Sequence, residues 1–208
     1  ELMDVGSGFP VLSIHGTGGG FDQGLALADG LLDAGYRVIA PSRFGYLGAP
    51  IPERTDALAQ ADAFAELLDR LAVDRAVVMG ASAGAITALA FAERYPERTA
   101  AVLLMVPAYY RPEQAAPEPW SPIRTWAVNT ALRSDLLFWA GMRLAPTGML
   151  TTVLAMDRDL VEAADPEERA RLDAMLAMIL PISARAEGLL LDAQNTASPP
   201  EIDLDDID

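Results

Sequence analysis

Short runs that are apolar at nearly every position recur through the first half of the chain, each closed by glycine, proline or a polar cluster. Residues 10–14 (Pro-Val-Leu-Ser-Ile), 36–40, 76–79 and 100–106 are such runs. A strand exposed on one face alternates apolar and polar residues, so continuous runs of this length read as strands buried on both faces. Residues 2–5 read as the end of a further strand, closed by Gly6-Ser7-Gly8. Between the runs the period changes. Residues 22–34 form a plausible helix ended by Gly35, and residues 56–71 repeat apolar side chains at helical spacing through Leu58, Ala61, Phe64, Leu67, Leu68 and Leu71. Another helix is expected from Ala83 to about Arg94, stopped near Tyr95-Pro96. Strands alternating with helices predict an α/β fold: a mostly parallel sheet with helices on both faces and residues 76–79 at its centre.

The pattern changes after Pro107. Pro112, Pro117, Pro119 and Pro122 interrupt the chain, and no convincing strand follows up to residue 198. Ser134-Asp135 can cap a helix carrying Leu136, Leu137, Trp139 and Met142. Asp165-Pro166-Glu167-Glu168 is a strong helix start, with a capping Asp, Pro in the first turn and acidic residues beside the positive end of the helix dipole. Its expected apolar face is Leu172, Met175, Leu176 and Ile179. The division expected is a first core segment at 1–107, a helical cap at 108–198 and an acidic linker at 199–208.

Two glycine-rich turns carry the candidate chemistry. Residues 76–79 run into Gly80-Ala81-Ser82-Ala83-Gly84, a Gly-x-Ser-x-Gly turn followed at once by a helix. In that context a serine is held on a sharp turn with its hydroxyl exposed above the sheet. Gly80 and Gly84 let strand and helix approach closely. The strand at 10–14 runs into His15-Gly16-Thr17-Gly18-Gly19-Gly20, a tight loop with exposed backbone N–H groups. It does not match the dinucleotide fingerprint, since Gly-x-Gly-x-x-Gly starting at Gly16 needs glycine where Phe21 stands.

Composition narrows the choices. Net charge is −15, and all 15 basic residues are Arg. Without Lys there is no P-loop and no Schiff-base chemistry. Nucleic acid and anionic membrane surfaces repel such a chain, so neither is expected as a partner. The acidity otherwise reads as a solubility device. Cysteine is absent and histidine occurs once, which removes disulfides, Cys nucleophiles and the usual metal constellations. No metal or other cofactor is expected. No run reaches the length of a membrane span and no signal segment opens the chain, so a cytoplasmic location is expected.

Taken together, His15-Gly16-Thr17-Gly18-Gly19, the stretch from Gly35 to Pro41 and Gly80-Ala81-Ser82-Ala83-Gly84 resemble the α/β-hydrolase family, in the order that family keeps. The resemblance implies that Ser82 is the nucleophile, and that the backbone N–H groups of Ala83 and Thr17 form the oxyanion hole. His15, Gly16, Gly18, Gly80 and Gly84 then support the loop and the elbow. It implies a helical cap over a small, fairly apolar substrate, with Tyr109, Tyr110, Trp120, Trp126 and Trp139 as apolar candidates. It also implies that His15 is structural, because in this family the base follows the acid and both follow the serine.

That leaves the chain without a triad base. It also lacks the last strands of the sheet. Glu113 is the acid nearest the strand at 100–106, and Asp203, Asp205 and Asp206 precede any recognisable strand. The expectation is a second polypeptide, or a cleaved C-terminal continuation, that completes the sheet and brings acid and histidine. The function expected is a serine hydrolase acting on an ester, lactone, thioester or activated C–C bond through an acyl-enzyme. The alternatives are a hydrolase-like binding protein without turnover and a cofactor-free haloperoxidase-like enzyme.

Overall fold

A computed structural model of the chain describes residues 1–108, 121, 128–154, 156–197 and 199–203. Tyr109, Tyr110, Pro112, Glu113, Pro117, Pro119, Trp120, Pro122, Trp126, Asp205 and Asp206 lie outside the described residues. The chain divides into two compact units, one of residues 1–118 with 187–208, the other of residues 119–186.

The first unit is built on five strands: β1 (Leu2–Val5), β2 (Pro10–Ile14), β3 (Arg37–Pro41), β4 (Ala76–Ala81) and β5 (Thr99–Met105). They stand in the order β1-β3-β2-β4-β5. The pairs β3–β2, β2–β4 and β4–β5 are parallel, and β1 is antiparallel to β3. The mostly parallel sheet is as expected. The expected centre is not: among the described strands β2 is in the middle, and β4 is the inner strand beside the edge strand β5.

The two-residue side-chain period of these strands sorts their residues onto two faces. Leu12, Ile14, Ile39, Ala76 and Val78 pack with α3 (Ala57–Arg70) and α4 (Gly84–Arg94), around Phe64, Leu68, Ile86 and Phe91. The alternate residues Val11, Val38, Ala40, Val77 and Met79 pack with Leu25, Leu31 and Leu32 of α1 (Phe21–Leu27) and α2 (Asp29–Asp33). Both faces are therefore covered, which explains the unbroken apolar runs. Residues 22–34, read as one helix, are two. The Ala28 N–H bonds Leu25 O, three residues back, which tightens the turn and ends α1 there.

The second unit is helical in its described residues: α5 (Asp135–Leu144), α6 (Pro146–Val153), α7 (Arg158–Ala163) and α8 (Pro166–Ala177). Both expected caps form. Ser134 accepts from the Leu137 N–H, and Asp165 accepts from those of Glu167 and Glu168. The faces α5 and α8 bury are narrower than the apolar residues they carry. α5 buries Phe138 (6% exposed) and leaves Leu136, Leu137 and Trp139 exposed. α8 buries Leu172 and Leu176 while Met175 is 55% exposed, and Ile179, though buried, lies beyond its end.

A last helix, α9 (Ala186–Ala197), lies almost wholly within the sheet unit. The boundary drawn at residue 198 therefore differs from the compact units, because Asp192 is bonded to Arg43 and Asn195 to Thr55. Nor is the described part of the acidic tail a free linker. Ile202 is buried in the core, and the Asp203 N–H donates to Glu93 Oε1 at 2.8 Å. No described helix is long and apolar enough to cross a membrane.

Candidate active site

The chain must reverse from β4 into α4 in two residues, Ser82 and Ala83. Ser82 takes φ +47°, a left-handed conformation that costs a non-glycine residue about 1–3 kcal/mol and persists only where its surroundings impose it. They do. The Ser82 N–H donates to Met105 O at 2.9 Å, and its carbonyl accepts from Ala85 N–H at 3.0 Å and Ala108 N–H at 3.1 Å. The flanking glycines are obligatory. A Cβ on Gly84 would lie 2.3 Å from His15 O and 2.6 Å from Ile14 O; one on Gly80 would lie 2.7 Å from both Ala88 Cβ and Gly84 O. Helix α4 starts this close to two strands only because neither position has a side chain.

The glycine loop lies against this turn. A Cβ on Gly16 would sit 3.2 Å from Ser82 Cβ and 3.2 Å from Ala81 O. Three of the four amides from Gly16 to Gly19 are occupied. Gly16 N–H donates to Gln23 Oε1 at 2.8 Å, Gly18 N–H to the Tyr46 hydroxyl at 3.2 Å, and Gly19 N–H to Gly16 O at 3.2 Å. The Thr17 N–H has no partner among the described residues, nor does the Ala83 N–H at the start of α4. Thr17 is exposed and its neighbours are buried. Ser82 itself is half-buried. The loop and elbow thus bring Gly16 against Ser82, with Thr17 following Gly16 and Ala83 following Ser82 in the chain.

His15 is fully buried. Its Nδ1 donates to Gly16 O at 2.8 Å, its Nε2 accepts the Arg43 N–H at 2.9 Å, and its ring meets Tyr46 edge-on at 4.7 Å between centroids. With both nitrogens committed to backbone, it holds the loop and is not poised to take a proton from a serine. No described side chain hydrogen-bonds Ser82 Oγ.

Sequence reading missed the buried group behind the loop. Arg43 forks onto Asp192 with contacts of 2.6 and 2.7 Å, and the Tyr46 hydroxyl donates to Asp192 Oδ2 at 2.5 Å. Burial, and then the Asp192 charge, push the Tyr46 phenol far above its ordinary pKa, so it stays a hydroxyl donor. Burial pulls the Arg43 guanidinium down, but Asp192 more than offsets this and keeps it charged. The available signal was small: a single carboxylate directly after the apolar run Leu189-Leu190-Leu191. Among the described residues no three His, Asp or Glu side chains come close enough to hold a metal.

Chemically, the site offers a half-buried hydroxyl on a strained turn, the Ala83 N–H next to it in the chain and the Thr17 N–H on the adjoining loop, both without a partner among the described residues. That is what attack on a carbonyl and capture of its oxyanion require of a protein. The known relatives agree with the fold. The family described as alpha/beta hydrolase fold matches residues 10–145. The chain is 38% identical over 112 residues to the 2-hydroxy-6-oxo-6-phenylhexa-2,4-dienoate hydrolase of Burkholderia cepacia, covering 51% of this chain and 39% of that one. It is 37% identical over 109 residues to the 2-hydroxymuconate semialdehyde hydrolase of Pseudomonas sp. (strain CF600), covering 50% of this chain and 38% of that one. It spans well under half the length of either relative. Among solved structures, an alpha/beta hydrolase fold protein from Nakamurella multipartita superposes with a TM-score of 0.70 at 25% identity, covering 100% of this chain and 74% of that chain. A thermophilic esterase from Thermogutta terrifontis gives 0.64 at 25% identity, covering 96% and 67%. The elbow, the glycine loop and the sheet that carries them place this chain in the alpha/beta hydrolase fold family.

Proposed function

We propose that the chain carries the nucleophile and oxyanion hole of a serine hydrolase acting on a carbonyl compound, either an ester or a C–C bond next to a ketone. The observation that carries this reading is Ser82 at φ +47°, beside a loop in which, of the amides from Gly16 to Gly19, that of Thr17 has no partner among the described residues. Ser82 Oγ attacks the carbonyl, the oxyanion is met by the Thr17 and Ala83 N–H groups, and the leaving group departs to give an acyl-enzyme. Water then releases the acid. Relatives named as dienoate and semialdehyde hydrolases favour the C–C substrate class, in which the leaving group is a stabilised carbanion.

A serine hydroxyl is a weak nucleophile near neutral pH, and the single histidine is committed to the loop. The reading therefore includes a base and an acid from a second polypeptide or a continuation of this chain. The edge strand β5 supports it. Beyond β4 it has no neighbour among the described strands, and Leu103, Leu104, Met105 and Val106 at its end are exposed, Val106 to 88%. An open apolar edge of this kind invites pairing. The intended location is the cytoplasm.

The test is turnover of p-nitrophenyl esters of different chain length and of a 2-hydroxy-6-oxo-dienoate by the active protein and its Ser82→Ala variant. Loss of a triad member is worth roughly 10⁴-fold, and the variant should melt within a few degrees of the parent. Activity within tenfold of the parent on every substrate removes Ser82 from the mechanism.

A further inference from the structure

The loop that carries the Thr17 amide has one internal bond, from the Gly19 N–H to Gly16 O, to hold its shape. Four of the five residues from Gly16 to Gly20 are glycine, the residue with the most backbone freedom to lose. The rest of its shape comes from outside anchors. Gln23 on α1 takes the Gly16 amide, His15 holds the Gly16 carbonyl, and Tyr46 takes the Gly18 amide. In a trans peptide the N–H points opposite the C=O, so the plane of the Gly16–Thr17 peptide fixes where the Thr17 N–H points. The anchors at Gly16 O set that plane, and the anchor at Gly18 N fixes the next peptide, on the other side of Thr17.

Behind the Gly18 anchor stands a buried assembly larger than a tyrosine needs for itself. Tyr46 and Asp192 are both essentially inaccessible, and Asp192 reaches the site from α9, 146 residues along the chain. The seat for the ring is shaped to fit. A Cβ on Gly188 of α9 would lie 2.3 to 2.6 Å from three Tyr46 ring atoms, and the Gly188 N–H donates to Gly45 O at 3.0 Å. A buried ion pair such as Arg43–Asp192 is a poor source of stability, since apolar side chains of similar volume often do as well. What it does supply is fixed positions.

We propose that Tyr46, aimed by Asp192 on α9, is a positioning residue for the oxyanion loop, acting on Thr17 through the Gly18 amide. The proposal rests on the reading of Ser82 as nucleophile.

The experiment sets Tyr46→Phe and Gly188→Ala beside Ser82→Ala in the same active preparation. Tyr46→Phe keeps the ring and the Arg43–Asp192 pair and removes only the hydroxyl. Losing an oxyanion donor outright costs about 10²–10³-fold in kcat, so misdirecting one should cost about 10–100-fold, with KM within about threefold. Gly188→Ala keeps the hydroxyl and displaces the ring, and should give the same fall in kcat. Hydrogen exchange at the Gly18 amide, which does not depend on turnover, should quicken at least about tenfold in Tyr46→Phe, as expected for an amide that has lost its acceptor. An unchanged kcat, a rise in KM alone, or unaltered Gly18 exchange overturns the positioning role. If Ser82→Ala is inactive while Tyr46→Phe keeps full kcat, only this proposal falls. If Ser82→Ala stays active, the nucleophile reading falls and the positioning role with it.

Discussion

At Gly84 the fold and the proposed chemistry depend on one missing methyl group. Its place is taken by the carbonyls of His15 and Ile14, which are backbone and cannot swing away. Gly84→Ala should therefore destabilise the protein at or above the upper end of the roughly 1–3 kcal/mol usual for overpacking. A urea midpoint within error of the parent would show that α4 can retreat from the sheet. This residue-scale detail was legible in the sequence, because a Gly-x-Ser-x-Gly turn between an apolar run and a helix leaves few geometries. The sharp turn at Ser82, with its positive φ, was legible for the same reason, whereas the structural place of His15 followed from the family resemblance, which puts the base after the serine. The Arg43–Tyr46–Asp192 group was not. Its partners lie 146 and 149 residues apart, and nothing local at any of them distinguishes a buried ion pair from solvated charges.

Helix ends were easier to read than helix faces. Caps are local: Asp56 accepts the Ala59 N–H at 2.8 Å, and Ser134 and Asp165 do the same for α5 and α8. Burial raises the Asp56 carboxyl, but the Ala59 N–H and the Arg54 guanidinium more than offset it and hold its pKa below the ordinary value. A carboxylate depressed in the folded state stabilises fully above its unfolded pKa, and that contribution is lost as pH falls through the folded value. Asp56→Ala should thus cost about 1 kcal/mol at pH 7, with the gap to the parent narrowing toward pH 3. Equal gaps in urea melts at the two pH values would contradict the cap. Faces need tertiary knowledge. In α5 the run Leu136-Leu137-Phe138-Trp139 offers apolar residues in every direction, so periodicity could not single out Phe138. In α8 the helix ends at Ala177, before the residue taken to complete its stripe.

Over the whole molecule, the alternation of strand and helix revealed the sheet and its coverage, and the absence of Lys and Cys removed whole classes of chemistry before any geometry was available. The order of the strands was beyond it, because strands apolar on both faces look alike wherever they stand. The proposed reading makes Ser82 the nucleophile but supplies no base, and among the described strands β5 presents an apolar edge. The 208 residues alone should therefore turn over esters roughly 10⁴-fold more slowly than the protein completed by a segment carrying histidine and acid, and adding that segment should restore the rate. Ordinary turnover by the isolated chain would mean that a base lies within it. The most direct measurement is covalent. The completed protein is treated with a fluorophosphonate, digested, and the modified peptide located by mass spectrometry. The expected result is one stoichiometric adduct on Ser82, absent from Ser82→Ala and formed far more slowly on the 208 residues alone. An adduct on another residue, or ester turnover that survives with Ser82 unmodified, would contradict the account.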